Sequence, residues 1–287
     1  MGDFTIHKRA WKTTPFDLAT LQATHDLQIS WHLMALFLEL TNCEIEVICA
    51  SEDIAQNKLD LLQAMMYVNC SAQFVAPFFT SHSANEYSGI NGRDSELLIK
   101  KLPEALRNGI TSGSAKVQAW PHKPNLGVTQ IFGSREIDKT TFSGSVEDCT
   151  RWQELERKSK QLKTVRRALL TAPSIADVSS SLLHLWQGIE SLFPDVTAEL
   201  TFRLALLISQ LAAGLEPPSV THKKVKLAYK IRSAAAHGDI EKVSMKHLKD
   251  GWLLLILCMR SVLARGFLPT DDELMAEILG NTTGRDA

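Results

Sequence analysis

The run Arg232-Ser233-Ala234-Ala235-Ala236-His237-Gly238 sets an arginine and a histidine near the C-terminal end of a predicted helix. A guanidinium keeps its charge at any physiological pH, whereas an imidazole takes up and releases a proton near neutrality. Those are the two tools needed to cut an RNA phosphodiester without a metal. One neutralises charge on the phosphate, and the other moves a proton to or from the attacking 2′-hydroxyl or the leaving oxygen. Five positions on an ideal helix subtend about 500°, which leaves Arg232 and His237 about 140° apart. One helix therefore does not close the pair around a phosphate. Two copies of the helix across a two-fold axis can supply both groups to one cleft, and Ala234, Ala235 and Ala236 are small enough to permit that approach. The alternative uses are structural. A histidine before glycine at a helix end gains from the helix dipole, and Arg232 can serve as ion-pair partner to Glu190 or Asp239.

Charge is unevenly spread along the 287 residues, although the formal net charge is only −1. From Arg151 to Leu170 there are seven Lys/Arg against two Glu, and from Val220 to Asp250 eight against three Asp/Glu. Basic charge thus gathers around the Arg/His run and its approach, which suits a polyanion such as RNA. Lys223, Lys224, Lys226 and Lys230 are the candidate RNA-binding residues, with a solvated helix face as the alternative use. The five cysteines are odd in number and lack C-x-x-C spacing, so neither a zinc site nor a disulfide framework is expected. No metal and no cofactor is implied, and a reducing cytosol is the expected compartment. The N-terminus has no long apolar run, and Trp252 to Met259 is too short to span a bilayer, so it reads as a buried helix.

The surrounding elements are predicted from periodicity. Residues 17–41 read as one helix, 44–49 as a half-buried strand and 54–68 as a helix. A long loop is expected over 71–92, a helix over 95–107 with Asp94 as its N-cap, and short strands over 115–142. A charged helix is predicted to open at Ser145 and run to Leu170, where Thr171-Ala172-Pro173 breaks it. A short terminal helix is expected over 271–279. Leu182, Leu185, Trp186, Ile189 and Phe193 form one apolar stripe, and Leu200, Leu204, Leu207, Ile208 and Leu211 a second. Glu190 edges the first stripe and Arg203 lies within the second. Charges facing a core are costly unless paired, so a supporting Glu190–Arg203 contact is expected. The fold class is α+β: a mixed α/β domain over 1–144, with a sensing or regulatory role, followed by an all-α helical bundle over 145–287.

Three blocks give the second part a likeness. They are Leu185-Trp186-Gln187-Gly188-Ile189-Glu190-Ser191-Leu192-Phe193, then Thr201-Phe202-Arg203-Leu204-Ala205-Leu206-Leu207-Ile208, then Val225 through Tyr229-Lys230-Ile231-Arg232-Ser233 into His237-Gly238. In this order they resemble the HEPN superfamily, and within it the Apea-like HEPN domains, over roughly the last 115 residues. The resemblance implies an endoribonuclease that cleaves single-stranded RNA by 2′-hydroxyl transesterification and is active as a homodimer through its helices. It implies catalytic roles for Arg232 on the scissile phosphate and for His237 as general acid/base or in orienting the 2′-hydroxyl. Ser233 fills the polar position after the arginine, where many members carry Asn, Asp or His. A toxin-like or anti-phage effector role, with an antitoxin or regulatory partner, belongs to the same implication. The competing reading is a non-catalytic module that binds RNA, a nucleotide or a partner protein.

Overall fold

The structure, a computed structural model, describes residues 4–27, 29–41, 43–70, 78–119 and 137–280. It is 66% helix and 6% strand, so among the described residues the mixed character expected of the N-terminal half shrinks to two short ribbons on a helical framework. The chain forms two compact units, residues 1–55 with 74–123 and residues 56–73 with 124–287. The units therefore do not part at one point near 145. The helix at 52–70 crosses out of the first unit and belongs to the second from Gln56 onward.

In the first unit, β1 (Phe4–Lys8) pairs antiparallel with β2 (Cys43–Val47), placing Ile6 opposite Ile45. The predicted single helix over 17–41 is two helices, α1 (Pro15–His25) and α2 (Trp31–Leu40). Asp26 ends α1 in the left-handed region at φ 47°, and the Ser30 side chain caps α2 by accepting from the His32 N–H. Gln28, one of the residues on which the single-helix pattern rested, lies outside the described residues. Asp17 closes a capping box with Thr14 and also accepts the Gly89 N–H at 3.0 Å, so a fully buried carboxylate stitches α1 to a later turn. The helix at 52–70 is α3. After it, β3 (Phe78–Thr80) pairs with β4 (Val117–Ala119).

The loop expected over 71–92 thus contains a strand, and it ends in the single turn α4 (Ile90–Arg93). The helix expected over 95–107 is two single turns, α5 (Glu96–Ile99) and α6 (Glu104–Arg107), because Pro103 cannot donate a helical N–H. Asp94 caps neither turn and accepts instead from the Ser112 N–H at 2.9 Å and from its hydroxyl. The strand expected at Leu126–Phe132 lies outside the described residues. Buried Arg93 holds this part together, donating to the carbonyls of Glu86, Ser88, Leu106 and Ile110.

The second unit packs α3 with α7 (Lys139–Lys158), α8 (Gln161–Thr171), α9 (Val178–Glu190), α10 (Leu200–Leu211), α11 (Pro218–Ala236), α12 (Met245–Arg265) and α13 (Asp271–Ile278). The helix expected from Ser145 begins earlier, because the Asp138 side chain caps it on the Thr141 N–H; Ser145 is buried in mid-helix. It also breaks at 159–160, and Glu156 before the break takes Arg166 after it at 2.6 Å. The same carboxylate accepts the Trp152 indole N–H at 2.8 Å. Arg166 and Arg151, paired with Glu156 and Asp148, are therefore structural, and the basic count over this stretch overstates its free charge.

The stripe predicted on α9 is buried at every position, and α9 packs against α8, α11 and α12. The second stripe is buried from Leu204 onward, while Leu200 is partly exposed. α12 carries the expected run from Trp252 to Met259, buried except for exposed Leu253 and half-buried Leu257, and its Arg260 donates to the Val68 carbonyl of α3 at 2.6 Å. Cys149 and Cys258 are buried free thiols, both pushed up to about 12 by desolvation. Among the described residues, no helix is long and apolar enough to cross a membrane.

Gly188 is where α8 and α9 meet: a Cβ there would stand 2.6 Å from the Ala168 Cβ. A Cβ on Gly214 would meet nothing within 4 Å. Gly188→Ala is expected to cost about 1–3 kcal/mol in chemical denaturation, and Gly214→Ala to stay within about 0.5 kcal/mol of the parent. Equal effects would contradict this packing.

Candidate functional site

Helix α11 carries the Arg/His run, and its ends follow from its sequence. Pro218 occupies the first turn, where its missing N–H costs nothing. At the other end three alanines extend the helix, and Gly238 takes φ +86°. The Gly238 N–H bonds the Ala235 carbonyl at 3.2 Å and the Asp239 N–H bonds the Ala234 carbonyl at 3.0 Å, a Schellman closure. A Cβ on Gly238 would meet nothing, so the left-handed backbone rather than space calls for glycine. His237 is the capping residue itself. Its ring is exposed and makes no hydrogen bond to any described residue. Asp239 beside it bonds Lys242 at 2.7 Å, which holds its carboxyl below the usual range, and His237 adds a smaller pull in the same direction.

Arg232 faces the other way. Its Nη2 donates to Glu190 Oε2 at 3.0 Å, and its Nε lies 3.0 Å from Oε1, in contact but not aligned as a hydrogen bond. Glu190 is the last residue of α9, so the pair ties the end of that helix to the last turns of α11. The guanidinium also lies 5.5 Å over the Tyr229 ring, which meets Trp186 edge-on at 5.2 Å. Burial raises the Tyr229 phenol above its ordinary value, with Arg232 pulling it down and Glu190 pushing it up. The Arg232 and Glu190 side chains keep 25% and 26% of their exposure, so the pair sits at the edge of the core rather than inside it.

The expected Glu190–Arg203 contact is thus corrected: Glu190 takes Arg232, the structural use that the sequence also offers for that arginine. Arg203 is partly exposed, and its charge acts on buried Asp271, whose carboxyl is raised by burial first and pulled down by Arg203. The two charges edge different stripes, and spacing within each helix gave no information on which helix each would meet.

Arg232 and His237 are not brought together within one chain. What α11 does align is different. Lys223, Lys226, Lys230 and His237 fall within an arc of about 60° on the helix, with Arg232 nearly opposite; all four are exposed. Ser233 borders this face and is half-buried. Lys224 leaves the set: it bonds Glu216, whose carboxyl is lowered by Lys224 first and Thr221 second. The intervals 223, 226, 230 and 237 carried this signal in the sequence. A second feature, which the sequence pattern does not reveal, is a groove of about 530 Å³ between α11 and α12, floored by Leu227, Ile231, Leu253 and Leu257. Among the described residues no group of three or more His, Cys, Asp or Glu is placed to hold a metal ion.

Comparison with family models, curated proteins and solved structures returned no match. The site is therefore read from its own geometry.

A double-mutant cycle tests that geometry. Glu190→Gln and Arg232→Gln are expected to couple by about 0.5–1 kcal/mol in folding free energy, as a partly exposed ion pair does. Glu190→Gln and Arg203→Gln should add without coupling. The reverse outcome would restore the contact expected from the sequence.

Proposed function

We propose that the chain is a metal-independent endoribonuclease of the HEPN type that cleaves single-stranded RNA and works as a homodimer through its helices. The observation that carries this reading is the outer face of α11, where three exposed lysines lead to an exposed imidazole at the helix end with no hydrogen-bond partner among the described residues. Lysines at that spacing follow a phosphate backbone, with an affinity that falls as salt rises. The histidine at its end is the group able to move protons at neutral pH. In the reaction, the 2′-oxygen attacks phosphorus, its proton is removed, and the bond to the 5′-oxygen breaks as that oxygen is protonated. The products are a 2′,3′-cyclic phosphate and a 5′-hydroxyl. Arg232 contributes positive charge to the phosphate from the paired subunit, since within its own chain it points away from His237. Its partial exposure leaves it within reach of such a partner. A toxin-like or phage-defence effector is the biological role in keeping with this chemistry, and an antitoxin the matching partner.

One observation favours a second reading. Glu190 already neutralises Arg232, which leaves the lysine face as an RNA-binding surface without catalysis.

Labelled single-stranded RNA incubated with purified protein in EDTA separates the two. Cleavage to cyclic-phosphate ends is expected, with His237→Ala slowing it by about 10²-fold or more while still binding RNA. RNA that is bound in a salt-dependent way but left whole by the wild type establishes the binding module instead. RNA neither bound nor cut removes both.

A further inference from the structure

The groove between α11 and α12 has the makings of a second, separate site. Its floor is aliphatic, and two of its leucines are unusually open: Leu227 is 70% exposed and Leu253 42%. Ile231 and Leu257 complete the floor. Water-facing leucines on two adjacent helices cost free energy that a fitting apolar surface would recover. The rim is basic. Lys224 and Lys230 stand on α11 and Lys246 on α12, against the single acid Asp250. Lys224 spends its charge on Glu216, but neither Lys230 nor Lys246 forms an ion pair with any described residue.

These features decide among occupants. RNA fits poorly, because the lining holds no Trp, Tyr or Phe on which a base could stack, and its one aromatic ring, His247, is held by Ser244 at the start of α12. A second copy docking by two-fold symmetry would set this basic rim against itself. The terminal stretch Asn281-Thr282-Thr283-Gly284-Arg285-Asp286-Ala287 offers no large apolar side chain to fill the floor. A trough between two helices, apolar beneath and cationic at the edges, is complementary to a helix with one leucine-rich stripe flanked by carboxylates. From Lys246 to Leu257 the groove runs along three turns of α12, enough to seat anchors at i, i+4 and i+7.

The geometry points to a docking site for an acidic amphipathic helix of a partner protein, held by Leu227, Ile231, Leu253 and Leu257 and steered by Lys230 and Lys246. The site stands whether or not the chain cuts RNA. Lys230 lies on both the groove rim and the lysine face, so a helix seated here would compete with RNA for that one cation.

The test uses a fluorescent synthetic helix of about 14 residues, with leucines at i, i+4, i+7 and i+11 flanked by glutamates, added to the full chain and followed by anisotropy. Micromolar binding is expected, weakened about tenfold or more when the peptide's glutamates become lysines. Leu227→Asp should weaken it at least as much while leaving the melting temperature unchanged, because that side chain is mostly in solvent already. Lys230→Glu with Lys246→Glu should reverse the peptide preference. No binding, equal binding of the basic peptide, or indifference to Leu227→Asp overturns the proposal. So does a mass measurement showing a dimer that Leu227→Asp dissociates, since the groove would then belong to a second copy.

Discussion

The burial of Val225 and Tyr229 fixes how α11 is turned, with the Arg232–Glu190 contact tying its edge to the end of α9, and the use of every other face of that helix depends on this rotation. Val225 and Tyr229 are both buried, Tyr229 edge-on against Trp186 of α9. Lys223, Lys226, Lys230 and His237 are then left in water, and Leu227 and Ile231 face the trough beside α12. The Arg232–Glu190 pair itself contributes little free energy, about 1 kcal/mol at this exposure. The rotation is what matters, because a helix rotated by one residue would turn the imidazole by about 100°.

This arrangement separates the tasks that a short motif seems to combine. Read along the chain, Arg232 and His237 are close neighbours. Read around the helix, they belong to different surfaces, one on the flank of the bundle and one on the outside. While Arg232 is held on Glu190, one chain does not present the two side chains on the same surface. The Schellman closure after His237 serves the same end: by satisfying the last carbonyls through backbone alone, it leaves the imidazole without a capping duty.

What could be read from the sequence was what local periodicity controls. The stripe of Leu182, Leu185, Trp186 and Ile189 and most of the run after Trp252 are buried as spacing predicts, and the strand expected over 44–49 forms at Cys43–Val47. Failures lie where a side chain reaches another element. Asp138 rather than Ser145 starts α7, and Asp94 serves Ser112 instead of a helix. The helix break at 159–160 has no glycine or proline to announce it. The exchange of Arg203 for Arg232 as partner of Glu190 has the same origin, since the choice depends on how α9, α10 and α11 pack. The groove is not legible along the chain because Leu227 and Ile231 sit on one helix and Leu253 and Leu257 on another.

Nuclear magnetic resonance of the histidine rings, recorded while a 2′-O-methyl single-stranded RNA that cannot be cleaved is added, addresses the outer face of α11 most directly. The ring signals of His237 are expected to move with RNA concentration and to return as salt is raised. RNA that binds while the His237 ring stays unmoved would place the ligand elsewhere and contradict the assignment of that face.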